Sequence, residues 1–276
     1  MEKYVRKLQL VELEILKEIN RICKNNNINY FLSGGTLLGS IRHKGFIPWD
    51  DDIDIAMTRK NYNKFIEACK KELDDKYFID CYKTNKKCYI PFIKIKKKNT
   101  LYVENKYSDN YNEQNCIWVD VFPLDGARKK EDKITFRQHK ISKYISTLIT
   151  IKNGSNYYKN SMIKKKIYGF FLKFVPMKFM SFLYDKTLSW FDEDKVDYLV
   201  SFCTVYTLKQ DTFNKKKLLP YNDVEFEGEK FMGIKGYDYY LTQMYGDYMT
   251  LPPKDQRNGH HPYLIKFEDG EEIKFE

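Results

Sequence analysis

Four aspartates stand within five positions of this chain, Asp50, Asp51, Asp52 and Asp54, inside the run SGGTLLGSIRHKGFIPWDDDIDIAM from Ser33 to Met57. Like charges so close repel one another, which leaves two ordinary settings: a solvated loop or a place that receives a cation. Ile53, Ile55, Ala56 and Met57 argue against the loop, because they make the segment a buried strand. A calcium-binding EF-hand also fails: with Asp50, Asp52 and Asp54 at loop positions one, three and five, position six is Ile55 instead of glycine and position twelve is Asn61 instead of glutamate. In a strand, Asp52 and Asp54 point to one face, about 7 Å apart at the Cα. Two carboxylates so spaced can hold one or two divalent cations, which bridge phosphate oxygens during phosphoryl transfer. Val119-Asp120-Val121 offers a third acid, framed by branched apolar residues in a neighbouring strand.

Further residues of fitting chemistry lie around these acids. Gly34-Gly35 sits between a strand and a helix, where backbone N–H groups can approach a phosphate; Thr36 is grouped with this turn as a substrate contact. Arg42 and His43 end the glycine-led helix just before the acidic loop. The planar fork of Arg42 suits phosphate, or a salt bridge to one of the aspartates, and His43 is either a ligand contact or a structural histidine. Trp49 directly precedes the acids and either stacks on a base or quaternary ammonium or packs the loop. Lys94 and Lys96 alternate on a strand and share a face, toward a diphosphate or toward solvent. In the tail, Arg257, His260 and His261 follow two prolines and are candidates for closing the site.

The elements that must position these groups follow from periodicity. Leu8, Val11, Ile15, Ile19 and Ile22 predict an amphipathic helix over 4–25. A strand over 28–33 leads to the helix from Thr36 to Arg42, and a strand over 52–57 leads to a helix carrying Tyr62, Phe65, Ile66 and Cys69. Strands are expected over 77–82, 91–96 and 116–122, and helices over 129–151 and 161–191, the latter interrupted at Pro176. Val224–Phe226 and Phe231–Gly233 flank a hairpin turn, and a short helix over 237–245 precedes the tail. This is an α/β (α+β) chain, with a core over 1–126 and a more helical remainder, with hairpin and tail, over 127–276.

The composition suits a globular protein: 276 residues, 42% hydrophobic and 31% charged. The net charge of +10 fits an anionic partner, such as nucleotide phosphates, lipid headgroups or nucleic acid. Six cysteines without a CxxC pair predict buried free thiols. No apolar run approaches a membrane span, and the charged first ten residues do not resemble a signal peptide, so a cytoplasmic location is expected. Lys164, Lys165, Lys166, Lys173 and Lys178 intersperse with phenylalanines over Ile163–Phe182, which reads either as a helix at the inner face of the membrane or as a core helix with a basic outer side.

The run GGTLLGSIRHKGFIPWDDDIDIAM closely resembles the LicD family of phosphotransferases, to which fukutin-related proteins are distantly similar. The resemblance continues through PFIKIKKKNT (91–100), WVDVFPLDG (118–126) and YGDYMTLPPKDQRNGHH (245–261) and is least distinctive over 130–215. It implies a nucleotidyltransferase-like fold with a mixed sheet, in which Asp52 and Asp54 bind Mg²⁺ or Mn²⁺ and Asp120 is a further ligand or the general base. It also implies transfer of phosphocholine, or a similar phospho-alcohol, from CDP-choline or another CDP-alcohol to a cell-surface glycan such as lipopolysaccharide, teichoic acid or capsule, or to a lipid-linked precursor. Two other readings are a nucleotidyltransferase acting on a small molecule or RNA, and a basic binding module for nucleic acid or anionic lipid. Retention of all three carboxylates and the absence of nucleic-acid-binding signatures weigh against the last, so no nucleic acid partner is expected.

Overall fold

A computed structural model describes residues 2–81, 84, 91–104, 115–129, 132–152, 171–204, 206–257, 259 and 262–275. The chain is mixed α/β, as expected. It divides into two compact units, Met1–Ile79 with Lys94–Phe122 and Leu218–Glu276, and Asp80–Ile93 with Pro123–Lys217. This partition runs differently from a single boundary at 126. Residues 218–276 fold with the acidic segment instead of with the helical middle, because Leu264–Lys266 pairs with Leu101–Val103 and the strands over 221–234 pack against Phe31–Leu32 and Gly34–His43.

In the first unit, α1 (Glu2–Asn25) buries Leu8, Leu13, Ile15, Leu16, Ile19, Ile22 and Cys23. Val11, expected on this face, is only half-buried, whereas Gln9 and Glu12 are buried. Strand β1 (Phe31–Leu32) pairs antiparallel with β2 (Asp54–Thr58), Phe31 opposite Ala56 and Leu32 opposite Ile55. Between them runs α2 (Gly34–His43), and after β2 comes α3 (Arg59–Glu72). The sheet continues through β3 (Tyr77–Asp80), β4 (Ile93–Lys97) and β6 (Trp118–Ala127) in the order β1-β2-β6-β4-β3. The strand expected over 52–57 begins at Asp54. Asp52 lies in the extended approach to it, yet the alternation holds: Asp51, Ile53 and Ile55 are buried, while Asp52 and Asp54 are half-buried.

The tail is more structured than its sequence suggests. Strand β11 (Leu264–Lys266) pairs with β12 (Glu272–Lys274) and with β5 (Leu101–Val103), Ile265 lying opposite Tyr102. The expected hairpin is present as β9 (Tyr221–Phe226) and β10 (Glu229–Ile234). Its turn is Glu227-Gly228, both at positive φ, as a type I′ turn requires. Helix α2 packs on β9 and on α7 (Tyr237–Tyr245). Ser40 Oγ donates to the Glu225 carbonyl at 2.7 Å, and Glu227 Oε1 accepts from Phe46 N–H at 3.0 Å.

The second unit joins α4 (Lys133–Lys152) to α5 (Met177–Leu188) around Ile149, Leu172, Met180, Tyr184 and Leu188. Gln138 Nε2 donates to the Thr187 and Leu188 carbonyls at 2.9 Å. The end of β6 pairs with β7 (Tyr198–Val200), and β7 with β8 (Thr212–Asn214), which leads into the single turn α6 (Lys215–Leu218). Pro176 interrupts the helical run where expected: α5 starts directly after it. The lysine triplet at 164–166 lies outside the described residues. Cys23, Cys69, Cys81 and Cys116 are buried free thiols and Cys203 is a half-buried one.

Gly39 in α2 tests how tightly the acidic segment is gripped. Alanine in a helix is ordinarily favourable over glycine by about 1 kcal/mol. Here a Cβ would fall inside contact distance of the Gly45 carbonyl oxygen, a backbone atom held by the left-handed cap at Lys44 (φ 62°). Overpacking of this kind costs about 1–3 kcal/mol. Gly39→Ala is therefore expected to lower unfolding stability by about 1 kcal/mol or more, read as a lower urea midpoint at unchanged slope.

Candidate active site

The site is built on the half-buried face of β2, β4 and β6 and on the start of α2. The Asp120 N–H donates to the Ile53 carbonyl at 3.0 Å, which sets β6 beside the acidic segment. Asp120 is flanked by buried Val119 and Val121, as its framing predicts. Lys94 reaches it from β4, with Nζ 3.0 Å from Oδ1 and 3.2 Å from Oδ2, both side chains nearly enclosed at 12% and 13% exposure. The same ammonium stands 3.8 Å over the ring of Trp118, whose side chain also hydrogen-bonds Asp120. Lys94 thus faces Asp120 instead of solvent. Lys96 is buried further along β4.

The three acids do not share one environment. Burial pushes the Asp54 carboxyl well above the usual carboxylate range, and the charges of Asp52, Asp120 and Asp50 push it further. Burial also raises Asp120, against the opposing pull of Lys94. A carboxyl from outside these segments joins the cluster. Glu12 of α1 is only 3% exposed, has an Oε2 without a hydrogen-bond partner among the described residues, and is driven up by burial and then by Asp52, Asp51, Asp50 and Asp120. Its position was readable: it falls four residues after Leu8 and three before Ile15, on the apolar side of α1. Gln9, one turn earlier, donates to the Asp50 carbonyl at 2.8 Å.

The glycine turn makes room for these acids. Gly34 has φ +56°, and a Cβ there would stand 3.2 Å from Asp54 Oδ2 and 3.7 Å from the Tyr245 hydroxyl. At Gly35 a Cβ would lie 2.6 Å from Asp50 Oδ2. The carboxylates of Asp50 and Asp54 therefore lie against the start of α2, where the helix dipole favours negative charge. The Gly34 N–H donates to the Tyr240 hydroxyl at 3.1 Å. Thr36, grouped above with substrate contacts, is buried, and its Oγ1 accepts the Asp54 N–H at 2.8 Å, fastening β2 to α2. Asp51 faces inward and accepts from the Tyr102 hydroxyl at 3.2 Å.

A basic and aromatic group assembles around Trp49, the residue before the acids. Arg42 Nη1 donates to the Tyr248 carbonyl at 2.8 Å and Nε donates to His43 Nε2 at 3.0 Å, so its partners are carbonyls and an imidazole. The imidazole packs edge-on to Trp49 at 6.4 Å between centroids, and the Arg257 guanidinium lies 5.0 Å over the same indole. Burial lowers the pKa of Arg42 and of His43, and each is lowered further by a neighbouring positive charge, Arg257 in the first case and Arg42 in the second. Gly259 lies so near Asp51 Oδ1 and the Trp49 carbonyl that a Cβ would be under 3 Å from both, at 2.8 and 2.9 Å. The structure thus brings Arg257, far along the chain, to Arg42, His43 and Trp49. His260 and His261 lie outside the described residues.

Hard oxygen donors suit Mg²⁺ or Mn²⁺, and the mutual repulsion raising Asp54 is what a cation would relieve. Among the described residues no three acid, histidine or cysteine side chains form a closed metal cage. Mg²⁺ does not need one: it is commonly held by one or two carboxylates together with substrate phosphates and water. Asp52 and Asp54 fit that role, while Asp120 is engaged by Lys94.

An acid-lined sheet face stands beside a glycine-led helix in a mixed α/β unit, an arrangement able to receive a cation and a phosphate. Residues 27–152 match the family described as LicD/FKTN/FKRP, nucleotidyltransferase domain. The lipopolysaccharide cholinephosphotransferase LicD of Haemophilus influenzae is 32% identical over 267 residues, 93% of this chain and 96% of that protein. The uncharacterized protein RP689 of Rickettsia prowazekii is 30% identical over 119 residues, 40% of this chain and 44% of its own length. The chain belongs to the LicD family of transferases.

The raised carboxyls carry a pH signature. The unfolded chain releases the Asp54 proton near pH 4, whereas the folded chain holds it to higher pH. Stability from this group is therefore full below about pH 4 and is lost as pH rises toward the raised value. In metal-free buffer, Asp54→Asn is expected to be more stable than wild type at pH 8, by on the order of 1–3 kcal/mol. The advantage should shrink toward pH 5, as followed by urea denaturation at both values.

Proposed function

We propose that this protein transfers phosphocholine, or a similar phospho-alcohol, from a CDP-linked donor to a hydroxyl of a cell-surface glycan or its lipid-linked precursor, with lipopolysaccharide as the acceptor class. One observation carries the reading: the Haemophilus influenzae relative named for choline phosphate transfer to lipopolysaccharide aligns over 93% of this chain. The site supports it with an acidic sheet face and, around the indole that precedes the acids, a cluster of two guanidiniums. We place the reaction in the cytoplasm; among the described residues no helix is long and apolar enough to cross a membrane.

In this reading Arg42 and Arg257 offset the charge of the donor diphosphate. Trp49 presents its flat face to the cytosine or to the quaternary ammonium. Mg²⁺ or Mn²⁺ held by Asp52 and Asp54 would neutralise charge on the diphosphate as CMP departs. Asp120, oriented by Lys94 and Trp118, accepts the proton of the attacking hydroxyl. The hydroxyl oxygen forms a bond to the alcohol-bearing phosphorus. The bond from that phosphorus to the bridging oxygen breaks, and CMP leaves with the electron pair.

The test is to incubate purified protein with Mg²⁺, a panel of CDP-alcohols and a glycan acceptor and to measure CMP release. Asp52→Asn and Asp54→Asn should each lower turnover by about a hundredfold or more with the fold retained. Asp120→Asn should lower kcat by about the same factor while donor affinity, read by calorimetry, stays within a few-fold. Pyrophosphate release from a nucleoside triphosphate, with no CMP release from any CDP-alcohol, would replace this reading with nucleotidyl transfer.

A further inference from the structure

Large exposed apolar side chains are unevenly spread over the described residues. In the first unit they are scattered, as Leu10, Met249 and Leu251. In the second they gather on the helices α4 and α5 and on the residues flanking α5. On α5, Met180, Tyr184 and Leu188 face the core at helical spacing. On its other side Phe179, Phe182 and Leu183 form a second stripe at i, i+3 and i+4, with both rings more than half exposed, at 51% and 54%. Trp190 continues it past the helix end, and Phe174 stands exposed before the start. On α4, Phe136, Ile141 and Tyr144 are exposed as well. A helix that only covers a core carries polar residues on its outer side.

Basic residues outnumber acidic ones on the two helices, although Asp192 and Asp194 are exposed just after Trp190. Lys133, Arg137, Lys140 and Lys143 are exposed on α4, which contains no acid; α5 exposes Lys178 and Lys186 against the single Asp185. The bases stand beside the rings: Lys140 Nζ lies 4.6 Å over Phe136, and Lys186 Nζ 5.7 Å over Phe182. Aromatic and aliphatic groups ringed by lysines are what an anionic lipid surface accepts, the rings entering the headgroup boundary and the ammonium groups pairing with phosphates. A second copy would bring like charges together. Nucleic acid would stack on the rings but would leave Ile141 and Leu183 in water. With 12 residues, α5 is about 18 Å long, too short to span a bilayer core of about 30 Å.

We propose that the outer faces of α4 and α5 dock the protein on an anionic membrane, the helices lying in the plane of the interface. The surface rests on its own residues and does not depend on the transferase reading, although a lipid-linked acceptor gives it a use. Full-length protein is sedimented with vesicles of phosphatidylcholine alone and with phosphatidylglycerol added. The expected result is pelleting with the anionic vesicles at low salt, weakened by added salt. The double variants Phe182→Ser with Leu183→Ser, and Lys140→Gln with Lys143→Gln, should each reduce partitioning by about tenfold. All four positions are exposed, so both variants should keep the wild-type circular dichroism and CMP release with a soluble acceptor. Absence of pelleting, or pelleting unchanged in both variants, overturns the proposal. So does a lipid-free dimer in analytical ultracentrifugation that the Phe182/Leu183 variant dissolves, which assigns the face to a second copy. Displacement of bound vesicles by an RNA oligomer that the same face retains overturns it in favour of nucleic acid.

Discussion

The acids at 50–54, with Asp120 and Glu12, repel one another in a place where little water screens them. Much of the first unit is arranged to hold that repulsion in place. Two glycines open α2 because a Cβ at either would press on a carboxylate oxygen. Gln9 grips the loop by its backbone at Asp50, Tyr102 holds Asp51, Thr36 holds the Asp54 N–H, and Lys94 supplies the opposing charge to Asp120. These contacts let a cluster of buried and half-buried acids persist beside the start of α2.

The supports come from distant parts of the chain. Tyr102 sits on β5, which pairs with β11 near the C-terminal end, so the tail steadies the acidic loop through one strand pairing and one hydroxyl. The hairpin β9–β10 carries Glu227, which pairs with Arg6 and caps the Phe46 N–H, while Ser40 ties α2 to the same hairpin. Tyr240 and Tyr245 bring α7 against the glycine turn. The basic cluster is assembled likewise: Arg42 is held by carbonyls of the segment after α7, and Arg257 lies on Trp49. Asp80–Ile93 and Pro123–Lys217 form their own unit, with a separate core around Tyr184 and Leu188 and a distinct outer chemistry.

The sequence by itself determined the parts whose information is local. Alternation of acid and branched apolar residues placed Asp52 and Asp54 on one face, helical spacing defined α1 and α3, Pro176 marked the break before α5, and the stretch Glu227-Gly228-Glu229-Lys230 between two apolar runs marked the hairpin. The length of the motif was enough to indicate the family. The tertiary structure decided what depends on partners far along the chain. It showed that Thr36 is a structural bond and that Asp50 occupies the glycine turn, and it showed that Lys94 answers Asp120. It also showed that the C-terminal strands belong to the acidic unit and that Glu12 is a member of the cluster. The physical reason is that periodicity tells which way a side chain points, whereas electrostatic cost and pairing depend on what stands opposite it.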